Sequence, residues 1–236
     1  MRIHPLFKWF GSKWSSGRLY PAPQLPTIIE PFAGSAGYSL NHVDKQVWLW
    51  DTHPRIAELW AWLIQEATQA LILDIPLNVP EGTDVRSLGL SAGQALLLRM
   101  WQRTNNCSEC WTISKWGHMP GQWTASTRAR VAEEVTAIKH WRFGLPWGTI
   151  ATYHVDPPYL FNYRYGAKPF SYDELAQHLL ALPAACQIMV CEAAHPKTGE
   201  IPGYLPFEHF ARRVTSRRAE GNHTHSNELM WHKVAQ

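Results

Sequence analysis

Short apolar runs closed by an acid alternate with stretches of helical period along the first part of the chain. Thr27-Ile28-Ile29-Glu30 is one such run, and Gln46 to Trp50, closed by Asp51, is another. Between them lies Pro31-Phe32-Ala33-Gly34-Ser35-Ala36-Gly37, rich in small residues, after which Tyr38 to Val43 can open a helix. This order predicts strand, tight loop, helix, strand, the start of a parallel sheet. Pro54 suits a first helical turn. Ile56, Leu59, Trp60, Leu63 and Ile64 then recur at the helical period on one face.

The alternation breaks at about Leu73. Pro76, Pro80 and Gly82 mark a loop, Ala92 to Arg103 reads as helix, Thr104 to Thr124 is rich in Asn, Ser, Trp and Gly, and Arg128 to Trp141 is amphipathic. Residues 71–147 are therefore read as an inserted, mostly helical subdomain within a domain made of 1–70 and 148–236. Strand-like runs resume at Thr149 to Val155, Cys186 to Cys191 and Glu228 to Val234. Ser171 and Glu174 have capping-box spacing for a helix through Leu182. The expected fold class is α/β, a Rossmann-like sheet with helices on both faces.

Composition narrows the class further. No apolar run approaches the ~18 residues of a spanning helix, and the first 20 residues are polar, basic and aromatic rather than leader-like. A soluble, cytoplasmic protein is expected. Four cysteines are too few for a disulfide scaffold, and Cys107-x-x-Cys110 lacks a second pair to complete a zinc site, so no metal is expected. A net charge of +3 argues weakly for a polyanionic partner, but Arg2, Lys8, Lys13 and Arg18 crowd the start and Arg212, Arg213, Arg217 and Arg218 crowd a later stretch. Thirteen tryptophans suit a core, and also suit stacking on bases.

Two strand ends carry the candidate chemistry. Ala33, Gly34, Ala36 and Gly37 are small enough for a ligand to approach the backbone, and Asp51 ends the next strand, where a carboxylate can accept both hydroxyls of a ribose. The three-glycine dinucleotide fingerprint is incomplete, which favours another adenosine-containing ligand. Asp156-Pro157-Pro158-Tyr159 follows a later strand. Two prolines fix the backbone and remove two amide donors. The Asp156 carboxylate and the Pro157 carbonyl can then accept both hydrogens of an exocyclic amino group and aim its lone pair at an electrophile. The Tyr159 ring can stack on an extruded base.

These stretches together resemble the Dam-like class of DNA adenine methyltransferases. Lys8-Trp9-Phe10-Gly11-Ser12-Lys13 resembles that class's Lys-Trp-Ala-Gly-Gly-Lys motif, with Phe10 and Ser12 standing where the class has smaller residues. Glu30 to Gly37 resembles the Glu-Pro-Phe-x-Gly-x-Gly loop, Asp156 to Tyr159 matches the Asp-Pro-Pro-Tyr motif, and Asn227 to Trp231 is similar to a strand near the class's end. The resemblance implies S-adenosylmethionine as cofactor, held by Trp9, Phe10, Lys13, Glu30, Pro31, Phe32, Ala33, Gly34, Ser35, Ala36, Asp51 and Asp156. It implies that Asp156, Pro157, Pro158 and Tyr159 hold the 6-amino group of a flipped adenine. It also makes the insertion a target-recognition element for double-stranded DNA. Arg99, Arg103, Asn105, Asn106, Lys115 and Trp116 are candidate DNA contacts there, with Tyr163 and Tyr165 after the fourth motif residue. A monomer or weak dimer in a bacterial or phage-infected cell is expected. Transfer to the 4-amino group of cytosine, an RNA substrate and a non-catalytic nucleic-acid binder of the same fold remain alternatives at this stage.

Overall fold

Five strand-forming segments run in parallel register before the sheet reverses. In the computed structural model, which describes residues 2–102, 110–115, 122–158, 171–193, 214–215 and 227–236, the strands are β1 (Thr27–Glu30), β2 (Gln46–Leu49), β3 (Arg142–Phe143), β4 (Thr152–Val155), β5 (Gln187–Ala193), β6 (Val214–Thr215) and β7 (Asn227–Lys233). Their spatial order is β3-β2-β1-β4-β5-β7-β6. β1 pairs in parallel with β2 and β4, β2 with β3, and β4 with β5. β7 runs antiparallel to β5 and β6. The order 3-2-1-4-5 places a topological switch point between β1 and β4. At such a point successive connections leave in opposite directions, and open α/β sheets bind their ligands in the crevice beyond the carboxyl ends of the strands.

The described helices are α1 (Pro54–Gln65), α2 (Gln69–Leu73), α3 (Ala92–Gln102), α4 (Ala125–Glu134) and α5 (Tyr172–Leu180). Alternate strand residues bury on opposite faces, as a pleated strand requires. Ile28, Val47 and Met189 pack with Ile56, Leu59 and Trp60 of α1, Leu96 and Leu97 of α3, and Val131 of α4. Ile29, Tyr153, Val155 and Ile188 pack with Leu175 and Leu179 of α5. Helices thus cover both faces, and β4 is buried along its whole length.

Segment 71–147, expected as an insertion, is continuous with the sheet. Its last part supplies β3, and its helices share one apolar cluster with β1 and β2. A two-residue strand has no readable period, which is why β3 and β6 escape a pattern-based reading.

Two helices also end earlier than their patterns suggest. Tyr38 to Val43 forms only a single 3-10 turn, Ser39–Asn41. The Asn41 amide turns back to donate to the carbonyls of Gly37 (2.7 Å) and Trp14 (3.2 Å), competing with helix propagation. The stretch expected from Arg128 to Trp141 begins instead at Ala125, capped by Thr124 Oγ1 accepting from Thr127 N–H (3.2 Å). It tightens into a 3-10 turn at Val135–Ile138, where Thr136 Oγ1 donates to the Glu133 carbonyl (2.8 Å). The cap expected at Ser171 forms: its oxygen accepts from Glu174 N–H at 3.2 Å.

One buried amide ties the amino ends of three strands together. Gln187 Oε1 accepts from Gln24 N–H (2.8 Å) and Thr152 Oγ1 (2.9 Å), while its Nε2 donates to the Ala22 carbonyl (3.1 Å) and to His232 Nε2 (3.0 Å). Every polar valence of this fully buried side chain is used.

Candidate functional site

The loop after β1 is built around left-handed backbone. Gly34 has φ +47 and Ala36 φ +51, a region that disfavours side chains. Asp51, just past β2, holds this loop from the neighbouring strand end. Its Oδ2 accepts from Gly34 N–H and its Oδ1 from His53 N–H, both at 2.8 Å. Burial pushes the Asp51 carboxyl up from its ordinary value, and these two backbone donors oppose that rise. From the other side, the Trp60 indole of α1 donates to the Gly34 carbonyl at 2.8 Å.

The smallness of Gly34 and Gly37 serves the chain itself. A Cβ on Gly34 would lie 2.9 Å from the Trp9 indole, and one on Gly37 would lie 2.4 Å from Trp14 N and 2.6 Å from Lys13 N. The segment from Trp9 to Trp14 therefore lies directly across the glycine loop. This corrects the expectation that both glycines admit a ligand to the backbone: the space each leaves is filled by protein. Ser35 Oγ adds a 2.7 Å hydrogen bond to Ser12 Oγ, which ties the loop after β1 to this segment. Trp9 also meets His53 edge-on, with ring centroids 5.0 Å apart.

Lys13 links this segment to β4. Its Nζ lies 3.0 Å from Asp156 Oδ2 and donates to the Gly11 carbonyl at 3.1 Å. The lysine side chain is 6 % exposed and the aspartate side chain 17 %. Four stretches, residues 9–14, 31–37, 51–53 and 156–158, thus meet at the carboxyl ends of β1, β2 and β4, at the switch point.

Exposure sorts the expected cofactor residues. Trp9, Phe10, Phe32, Gly34, Asp51 and Asp156 retain partial access to solvent, whereas Lys13, Glu30, Pro31, Ala33, Ser35 and Ala36 are buried. Glu30 faces inward: its Oε1 accepts from Ser39 N–H (2.9 Å) and its Oε2 lies 3.2 Å from His154 Nδ1. It shapes the loop from beneath rather than lining the crevice. His154 is itself stacked on Tyr38, centroids 4.5 Å apart and 8° from parallel, with Cys191 Sγ 3.5 Å from its Nε2. Pro157 is buried and Pro158 partly so.

Among the expected nucleic-acid contacts, Arg99 is corrected. It is fully buried, and its Nε donates to the Cys110 carbonyl at 3.0 Å. A residue on the inner face of α3 cannot reach a phosphate, and it holds the returning chain instead. Lys115 is exposed. Arg103, Asn105, Asn106, Trp116, Tyr159, Tyr163 and Tyr165 lie outside the described residues.

His53 was not singled out from the sequence, although it is the residue before Pro54 and follows Asp51 at a distance of two. That position, the last before α1, was the available signal.

These features define an α/β protein that gathers a carboxylate, aromatic rings and a buried ammonium paired with a partly exposed carboxylate at the switch point of a mostly parallel sheet. No protein-family model matches the chain, and no curated protein matches it. Among the described residues, no helix is long and apolar enough to cross a membrane.

Proposed function

We propose that the protein is a methyltransferase that moves a methyl group from S-adenosylmethionine to an exocyclic amino group of a nucleic-acid base, adenine in DNA being the preferred target. The observation that carries this reading is the Lys13–Asp156 contact, which joins the strand end bearing Asp-Pro-Pro to the segment lying on the glycine loop.

The residues present fit such a cofactor. Each Asp51 oxygen already accepts one N–H, and a carboxylate oxygen can accept two, so ribose hydroxyls can still be bound. Trp9 and Phe32, both partly exposed, supply aromatic surface beside it. A dinucleotide fits less well. Dinucleotide sheets repeat the strand–helix–strand half, whereas here antiparallel β7 occupies the place next to β5.

When bound, the cofactor supplies an electrophilic sulfonium methyl whose carbon–sulfur bond breaks with its electron pair staying on sulfur. The chain's own part is alignment. Asp156 accepts one amino hydrogen of the target, a backbone carbonyl of the Pro-Pro turn accepts the other, and the nitrogen lone pair is left pointing at the donor. Pre-set geometry of this kind can lower the barrier by several kcal/mol. The new bond uses that lone pair, and the nitrogen then releases a proton to water.

Purified protein with labelled S-adenosylmethionine and unmethylated DNA should transfer label to DNA. Mass spectrometry of the nucleosides should show N6-methyladenine; 4-methylcytosine would move the reading to cytosine, and label appearing only in RNA would move it to RNA. Asp156→Asn should lower kcat by about 10²-fold or more while cofactor affinity changes little. Near-wild-type turnover in that variant would remove Asp156 from its role.

A further inference from the structure

We propose that Lys13 serves the methyl-acceptor side of the crevice, holding Asp156 as the ionised acceptor for the target amino group, rather than gripping the cofactor. The inference rests on the functional reading above and deepens it.

The geometry favours this assignment. Lys13 is 5 % exposed, and its ammonium is turned to Asp156 Oδ2 and the Gly11 carbonyl, 3.0 and 3.1 Å away. A buried ammonium is costly unless it is paired and hydrogen-bonded. The position is also rigid. Gly37 packs against the Lys13 backbone, and Gly17 N–H donates to the Lys13 carbonyl at 2.5 Å. An exposed lysine would lose side-chain entropy on pairing, but this side chain is already fixed where it stands.

Three other titratable groups on neighbouring elements have partners elsewhere, and His53 meets Trp9 edge-on. Glu30, from β1, faces His154 of β4 and Ser39 N–H; Cys191 of β5 faces His154; Asp51, beyond β2, faces two backbone amides. Lys13 is thus a cation placed to set the charge of Asp156.

The chemical consequence concerns the proton. A carboxylate held beside an ammonium is a good hydrogen-bond acceptor and a poor proton store. As the nitrogen–carbon bond forms and the carbon–sulfur bond breaks, the surplus amino proton goes to water, and Asp156 stays charged throughout.

The test uses the whole protein carrying 13C-carboxyl aspartate, with the Asp156 resonance assigned by its loss in Asp156→Asn. In Lys13→Met, the Asp156 titration midpoint should rise by about one pH unit or more, the usual effect of removing a close opposite charge. The acid limb of kcat against pH should rise with it. Lys13→Arg should keep the midpoint near its wild-type position, and Lys13→Gln, neutral but polar, replaces the methionine variant if that one does not fold. S-adenosylmethionine affinity, measured by calorimetry, should change by less than about tenfold in the methionine variant. An unmoved Asp156 midpoint in the neutral Lys13 variant, or cofactor binding lost there while that midpoint stays fixed, overturns the assignment. A wild-type protein that transfers no methyl group to any nucleic acid overturns the functional reading and the acceptor-side role together. Methyl transfer with an unmoved midpoint overturns the Lys13 role alone.

Discussion

Asp51 has two kinds of work at once. Its oxygens hold the amides of Gly34 and His53, and under the proposed function they also take the ribose. Asp51→Ala should therefore weaken S-adenosylmethionine binding by about 1–3 kcal/mol and lower the unfolding midpoint as well, since two partly buried N–H donors lose their acceptor. Calorimetry and thermal melts separate the two effects. Unchanged affinity would mean that the ribose lies elsewhere. The importance of this residue was legible from its place at the end of an apolar run. Its grip on Gly34 was not, because a loop contact across 17 positions leaves no periodic trace. The same holds for Arg99. In sequence it is one basic residue on a helix, and only the packing of α3 reveals that its side chain faces inward.

Among the elements, β5 and β7 illustrate what pattern can and cannot give. Both strands are readable as apolar runs, yet nothing in those runs indicates that β7 reverses direction. The contact that secures their paired ends is polar. His232 Nε2 accepts from Gln187 Nε2, which requires the neutral ring, and burial lowers the His232 pKa from its ordinary 6.5. On acidification the unfolded chain takes up this proton first. The contribution is therefore full above about 6.5 and is lost as the pH falls towards the lowered folded value, at no more than about 1.4 kcal/mol per pH unit. Urea midpoints measured across that range should show a shallower acid loss in His232→Asn than in wild type. Half-buried His42, whose pKa is also lowered by desolvation, acts in the same direction, so the slope should shrink and not vanish. Equal slopes in the two proteins would show that His232 is not among the groups responsible.

For the molecule as a whole, the deciding feature is that the segment around Lys13 closes the glycine loop. Its likeness to a known motif was visible in the residues, but its contact with Gly37 was not: smallness shows only that something comes close. Gly37→Ala places a methyl group 2.4 Å from a backbone nitrogen, and backbone yields less readily than a side chain. The variant should lose about 1–3 kcal/mol of stability and, under the proposed function, most of its methyl transfer. Gly89→Ala is the control: its Cβ meets nothing within 4 Å, so only the left-handed backbone at φ +69 resists it, at about 1 kcal/mol. Similar transfer rates in the two variants would argue against the closure.

The same closure imposes an order on synthesis. Trp101 Nε1 donates to the Leu6 carbonyl, and Lys13 waits for Asp156, so the head of the chain leaves the ribosome long before either partner has been made. At usual elongation speeds that wait is on the order of ten seconds. Until β4 has been translated, the Lys13 ammonium has no Asp156 carboxylate to meet, and a nascent chain that stalls earlier leaves that charge without this partner.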